Sequence, residues 1–355
     1  QVKSEILMPV LTIDKNSGTT GDEKYNIEDD IPYTISVTQT VQDAVANSVM
    51  ITDEDISNGA DINKDSIQVT VPEGRNYEIV ETRQGFYVIV DKLGYNEIAT
   101  VTFTAHLSSN KLAGQKVKNT ATATCTNNTA IVEDSVENKV YMPEFFLAKT
   151  AESEVNVKDT IHYNITVNQT VDGAKALPMT IKDEYPAGIE IDYSTLKVVK
   201  TTDGVETNIT KQPDEWSYTV DEQGRLITFK INSVKDSVGI SFEAKVTDNN
   251  LAGTTITNKA NVVSENSEYT SQDEMNTYVL KPTLDLTKTT DKDKYNVGED
   301  VIYTLTLKHS QDSDKNSRAN NVVITDTKLT EGLKIQDDSI QAVSSNGEAK
   351  VNASR

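Results

Sequence analysis

Lys15, Lys149 and Lys288 each close a short stretch: Leu11-Thr12-Ile13-Asp14-Lys15, Phe145-Phe146-Leu147-Ala148-Lys149 and Leu284-Asp285-Leu286-Thr287-Lys288. Side chains alternate across a strand with a period of two, so each lysine shares the face of two apolar residues before it. An ammonium-bearing side chain on a core face needs a partner or a task. Candidates for both recur at similar spacing. Asp53, Asp183 and Asp326 end the stretches Val49-Met50-Ile51-Thr52-Asp53, Met179-Thr180-Ile181-Lys182-Asp183 and Val322-Val323-Ile324-Thr325-Asp326, again in phase with apolar neighbours. Asn119 is in phase with Val117, Ala121 and Ala123, and Asn258 with Ile256, Ala260 and Val262. Low dielectric disfavours a charged amine and a charged carboxylate alike. A neutral amine is a nucleophile, and a protonated carboxyl can polarise an amide carbonyl. Lys15 attacking the Asn119 carboxamide, or Lys149 attacking that of Asn258, would expel ammonia and leave a Lys-Asn isopeptide bond. Asp53 or Asp183 would move the protons. The reaction needs no cofactor and runs once, because the strands hold both reactants at high effective molarity. Lys288 and Asp326 have no Asn partner before the chain ends.

The elements that must position these groups repeat with them. After each lysine comes a Tyr-bearing strand: Ile31-Pro32-Tyr33-Thr34-Ile35-Ser36-Val37, Ile161-His162-Tyr163-Asn164-Ile165-Thr166-Val167 and Val301-Ile302-Tyr303-Thr304-Leu305-Thr306-Leu307. Further strands are expected at Phe86 to Val90, Ile98 to Leu107, Leu226 to Ile231 and Val238 to Val246. A Leu-Ala-Gly turn, Leu112-Ala113-Gly114 and Leu251-Ala252-Gly253, introduces the Asn-bearing strand, read as the last of each copy. A period this long suits a β-sandwich rather than a small solenoid unit. The boundaries expected are 1–9 for the tail of a preceding repeat, 10–142 and 143–280 for two complete repeats, and 281–355 for a partial third. Short apolar linkers with a proline, such as Val140-Tyr141-Met142-Pro143, suggest semi-rigid joints. The fold class expected is all-β, a string of tandem immunoglobulin-like β-sandwich domains in extended arrangement. Both ends of the sequence look like cuts in a longer protein.

Composition narrows the classes. The 355 residues are 36% apolar and only 6% aromatic, rich in Thr, Val and Asn, and carry a net charge of −21. Such a charge disfavours nucleic acid and anionic membrane surfaces as partners. No stretch has the length and apolarity of a membrane span, nor the start the pattern of a signal peptide. With Cys125 as the single cysteine, no disulfide framework can form, so an extracellular β chain would need another stabiliser. Cys125 itself reads as an ordinary free thiol.

These pieces resemble the intramolecular isopeptide-forming domains of Gram-positive fimbrial shaft proteins and surface adhesins, the collagen-adhesin A type. The resemblance spans nearly the whole chain. It rests on the lysine-ending first strand, the Tyr-bearing strand after Lys158-Asp159 or Gly298-Glu299-Asp300, the Ile-x-Asp strand end and the Asn-x-Ala strand. It implies that Lys bonds to Asn with Asp as catalytic acid and base. A Pro-x-Gly often follows the Asp; Asp183-Glu184-Tyr185-Pro186-Ala187-Gly188 has it, whereas Asp53-Glu54-Asp55-Ile56-Ser57 departs from it.

The function expected is mechanical: an extracellular, cell-wall or cell-surface stalk of an adhesin or pilus protein whose partners are its neighbouring domains. It is not an enzyme in the sense of turnover. The alternative is a set of ligand-binding adhesin repeats without crosslinks, taking a host protein or glycan; Trp216 with Tyr218 is the visible aromatic candidate. A third is the accessory region of a secreted glycosidase. His106, His162 and His309 lie far apart, with His162 on an outer face. Asp312-Ser313-Asp314-Lys315-Asn316 imitates the start of a calcium loop, but Ser317 and Val323 stand where Gly and Glu would be required, so no metal site is expected.

Overall fold

The computed structural model describes residues 6–18, 23–327 and 329–344. Residues 1–5 of the expected preceding tail and 345–355 of the expected third repeat lie outside these. The period-two patterns become strands almost throughout. The first ten are β1 (Leu11–Asn16), β2 (Lys24–Tyr25), β3 (Asp30–Gln39), β4 (Ala46–Ile56), β5 (Ala60–Thr70), β6 (Tyr77–Glu81), β7 (Phe86–Leu93), β8 (Ile98–Leu107), β9 (Lys116–Cys125) and β10 (Asn128–Val140). They form two sheets, ordered β1-β3-β8-β5 and β2-β10-β9-β4-β7-β6. Alternation does the sorting. In β3, Ile31, Tyr33, Ile35 and Val37 are buried while their neighbours face outward. They meet Val49, Ile51, Phe86, Val88 and Ala121 of the facing sheet in one hydrophobic cluster. Each large aliphatic side chain so buried contributes about 1.5–3 kcal/mol.

The next eleven strands repeat the design. They are β11 (Phe145–Thr150), β12 (Glu154–Val155), β13 (Thr160–Gln169), β14 (Met179–Glu184), β15 (Ile189–Thr202), β16 (Val205–Asn208), β17 (Trp216–Asp221), β18 (Leu226–Ile231), β19 (Ser237–Val246), β20 (Thr255–Ser264) and β21 (Ser271–Val279). The sheets run β11-β13-β19-β15-β16 and β12-β21-β20-β14-β18-β17, enclosing a second cluster. Both sandwiches are of the immunoglobulin-like, all-β class. The Leu-Ala-Gly turns work as read. Gly114 and Gly253 take φ of 73° and 84°, a left-handed backbone that glycine adopts without strain, and donate to the carbonyls of Tyr141 and Val279.

The Asn-bearing strand is not the last of each copy. β10 and β21 follow β9 and β20 and pair with them antiparallel. Their charged, mostly outward-facing residues hide the period-two signal.

The first two sandwiches belong to one compact unit, residues 1–281. Asn26 ties them together. Its amide donates to the Gly173 carbonyl at 3.1 Å and accepts from the Lys175 backbone N–H at 2.8 Å. Two residues on, Leu177 enters the first sandwich's hydrophobic cluster. Replacing Asn26 with Ala removes both bonds, about 2 kcal/mol of joint stiffness. Residual dipolar couplings should then need separate alignment tensors for the two sandwiches, where the wild type is fitted by one.

The second unit, residues 282–355, holds β22 (Leu284–Thr290) paired with β23 (Tyr303–His309) and no further strand among its described residues. Val322 to Asp326, expected as a strand, is irregular there. Leu284 and Leu286 remain exposed, because among the described residues no second sheet covers them.

Candidate functional site

Lys15 stands near the end of β1 with its side chain turned into the first sandwich, in phase with Leu11. Asp53 reaches the same interior from β4 and Asn119 from β9, two adjacent strands of the facing sheet, where Asp53 is registered opposite Ala121. Asp53 and Asn119 are fully buried and Lys15 nearly so. The Lys15 ammonium nitrogen donates to Asp53 Oδ2. It also lies 5.0 Å from the centre of the Tyr33 ring and 5.1 Å from that of Phe103, so aromatic faces replace water around it. The second sandwich repeats this with Lys149 of β11, Asp183 of β14 and Asn258 of β20. Lys149 donates to Asp183 Oδ2 and sits 5.0 Å from the Tyr163 ring and 5.8 Å from Phe242.

Burial dominates the electrostatics. It lowers the Lys15 and Lys149 amines against the opposing pull of their aspartates. It pushes the Asp53 carboxyl up to about 6 and raises Asp183 as well. Both shifts favour the neutral pair, an amine beside a carboxylic acid, which is the form able to attack an amide.

The amides are the unusual members. Neither the nitrogen nor the oxygen of Asn119 or Asn258 completes a hydrogen bond, and Asp53 Oδ1 and Asp183 Oδ1 are also unpaired. Each amide nevertheless lies near enough to its aspartate to favour the carboxylate, so Asp is the common neighbour of Lys and Asn. A buried polar atom without a partner costs about 1–3 kcal/mol. Two such amides, at matching positions in two sandwiches, are not a packing accident.

The third copy differs. Lys288 Nζ and Asp326 Oδ2 are 2.6 Å apart, with side chains about a third exposed (34% and 33%). Among the described residues no cluster of three His, Cys, Asp or Glu side chains could hold a metal ion. His162 is exposed and bound to Glu152 at 2.6 Å. Cys125 is a free thiol, as its solitary place in the sequence requires; it closes β9 and is buried, with its thiol directed at the Asn128 carbonyl. Trp216 is a correction. Its ring is buried and its Nε1 donates to the Ile209 carbonyl at 2.8 Å, leaving only Tyr218 of that pair substantially exposed.

One glycine guards the first site. A Cβ at Gly85, in the turn between β6 and β7, would collide with the Asp53 backbone carbonyl oxygen. Gly85→Ala should therefore destabilise the first sandwich by about 2–3 kcal/mol, measurable by urea unfolding.

The fold and site define a class: β-sandwiches in tandem, each burying a lysine, an aspartate and an asparagine that converge from three strands. No protein-family model and no curated protein matches the sequence. Solved structures similar to it include the C-terminal domain of the Streptococcus agalactiae AgI/II polypeptide BspA, at 12% identity, TM-score 0.38, covering 76% of this chain and 100% of that one. The collagen adhesin (CNA) from S. aureus is similar at 10% identity and TM-score 0.29, covering 85% and 96%. The Enterococcus faecalis MSCRAMM ACE is similar at 9% identity and TM-score 0.31, covering 77% and 94%. Likeness at this level is too low to assign a role.

Proposed function

We propose that the chain is a structural stalk of a bacterial cell-surface adhesin or pilus protein, stabilised by autocatalytic bonds from Lys15 to Asn119 and from Lys149 to Asn258. The observation carrying this reading is the buried, unpartnered amide beside a Lys–Asp pair in both sandwiches. In each, the lysine Nζ attacks the asparagine Cγ, the Cγ–Nδ2 bond breaks, and an N–H proton of the amine passes by way of the aspartate to the departing nitrogen. Ammonia leaves, the new C–N bond is an amide, and the aspartate ends as it began. Asp53 and Asp183 are the acid–base groups. Lys288 and Asp326 are the corresponding lysine and aspartate of a third repeat.

The consequence is mechanical. A Lys15–Asn119 bond carries tension from β1 directly to β9, so the intervening chain bears none of it. Because β10 follows β9, that strand remains in the load path. Such a crosslink also serves where the single cysteine permits no disulfide within the chain. The setting that fits is the outside of a cell wall, with neighbouring repeats as the partners.

Intact mass tests the proposal. The full chain should weigh less than its sequence by two ammonia molecules, and a tryptic digest should contain branched peptides joining β1 to β9 and β11 to β20. A chain at its full sequence mass would sink the crosslink reading.

A further inference from the structure

β1 is an edge strand. One side is bonded to β3, while the backbone N–H of Lys15 points away toward the facing sheet. There it donates to Asp134 Oδ2 of β10 at 2.7 Å. The other oxygen of Asp134 accepts from the Ser135 N–H at 2.9 Å, which holds the carboxylate in place. The second sandwich has the same device. Lys149 N–H donates to Asp273 Oδ2 of β21 at 2.8 Å, and Asp273 Oδ1 accepts from Glu274 N–H at 2.9 Å. The registers match as well: Asp134 faces Ala121 and Asp273 faces Ala260, each two residues from the crosslink asparagine on the paired strand.

We propose that Asp134 and Asp273 are positioning residues for the two crosslinks. Each clasps the backbone of the reacting lysine to the strand that lies beside the reacting amide, fixing the distance between amine and carbonyl carbon. This rests on the isopeptide reading and adds residues to it. The charge of the carboxylate is not the useful property. Asp134 and Asp273 raise the lysine amines, opposing the burial that makes them nucleophilic. The other charged or titratable groups facing each amine are Asp53 and Tyr33 in the first sandwich and Asp183 and Tyr163 in the second. What the clasp supplies is an acceptor in a fixed place, and small errors of placement weigh heavily on an intramolecular reaction. The two copies are unequally protected. In the second, Ser271 Oγ accepts from Leu147 N–H at 3.0 Å, a further rung two residues earlier. In the first, Val132 occupies that register position and has no hydroxyl to offer.

The test uses the full chain, isolated unfolded in urea before closure, diluted to refold and quenched with acid at intervals. Ammonia loss is read by intact mass, the closed copy by peptide digestion, and folding by circular dichroism on the same aliquots. Asp134→Ala should close the first copy about tenfold more slowly than wild type, with the second copy of the same molecule as internal reference. Asp273→Ala should slow the second copy by less, because Ser271 remains. Asp134→Asn keeps an acceptor oxygen but loses the charge. It should close at the wild-type rate near neutral pH, and its pH profile should move to lower pH, since the amine loses an anion that favours its protonated form. Closure of Asp134→Ala at the wild-type rate overturns the positioning role while leaving the crosslinks standing. So does an Asn variant as slow as the Ala variant. A wild-type chain that folds and loses no ammonia overturns the crosslink reading and the positioning role together.

Discussion

Asp183→Ala should be the most damaging single change in the second sandwich, and the chain should then lose only one ammonia. Two effects combine. Without its acid–base group the Lys149–Asn258 bond does not form, and Lys149 is left buried with its partner removed. Stranding one member of a buried pair costs about 3–5 kcal/mol, and a missing crosslink around a loop on the order of 100 residues costs about another 4–5. Together these rival the whole stability of an ordinary domain, which is about 5–15 kcal/mol. The second sandwich should therefore be largely unfolded at 37 °C, seen as lost amide dispersion by NMR, while the first stays intact. Asp326→Ala is the contrast. Its pair with Lys288 is a third exposed and should be worth no more than about 1 kcal/mol. A folded, fully stable Asp183→Ala sandwich would show that the aspartate has no such burden.

Asn258→Ala isolates the crosslink from the ion pair. Lys149 and Asp183 keep each other, and only the covalent tie is lost. By the chain-entropy estimate that removes about 4–5 kcal/mol, which for a sandwich of this size lowers the melting transition by roughly 15 °C. Calorimetry should show the lower transition moving while the first sandwich's stays in place, and trypsin should cut the second sandwich sooner on heating. An unmoved transition in a variant lacking one ammonia loss would mean that the bond stabilises little.

The triads were legible because parity and repetition point the same way. A lysine in phase with Leu11, an aspartate in phase with Val49 and Ile51, and an asparagine in phase with Val117 and Ala121 each have an ordinary explanation, but their joint recurrence does not. Several of the strands that escaped notice have weak faces. β5, β6 and β10 carry Asp, Glu, Lys and Asn on mostly solvated surfaces, so alternation yields little contrast. Missing β10 concealed Asp134, although Asp134 and Asp273 stand equally far beyond their asparagines in the chain. Trp216 misled for the opposite reason. A large aromatic between polar residues reads as exposed, yet its indole N–H finds a backbone carbonyl and the ring is buried. In the third copy, Val322-Val323-Ile324 has the composition of a strand, but composition cannot provide the neighbouring strands that would pair with it.

β1 and β10 advance in the same direction. Asn128 near the start of β10 reaches the Pro9 carbonyl just before β1, Asp134 meets Lys15, and Asn138 near the end of β10 bonds Ser17 just after β1. The polypeptide thus comes in at one extremity of this side-by-side pair and goes out at the other. A pull on entry and exit would slide the two strands lengthwise in shear, so their lateral bonds would be strained simultaneously rather than peeled apart in sequence.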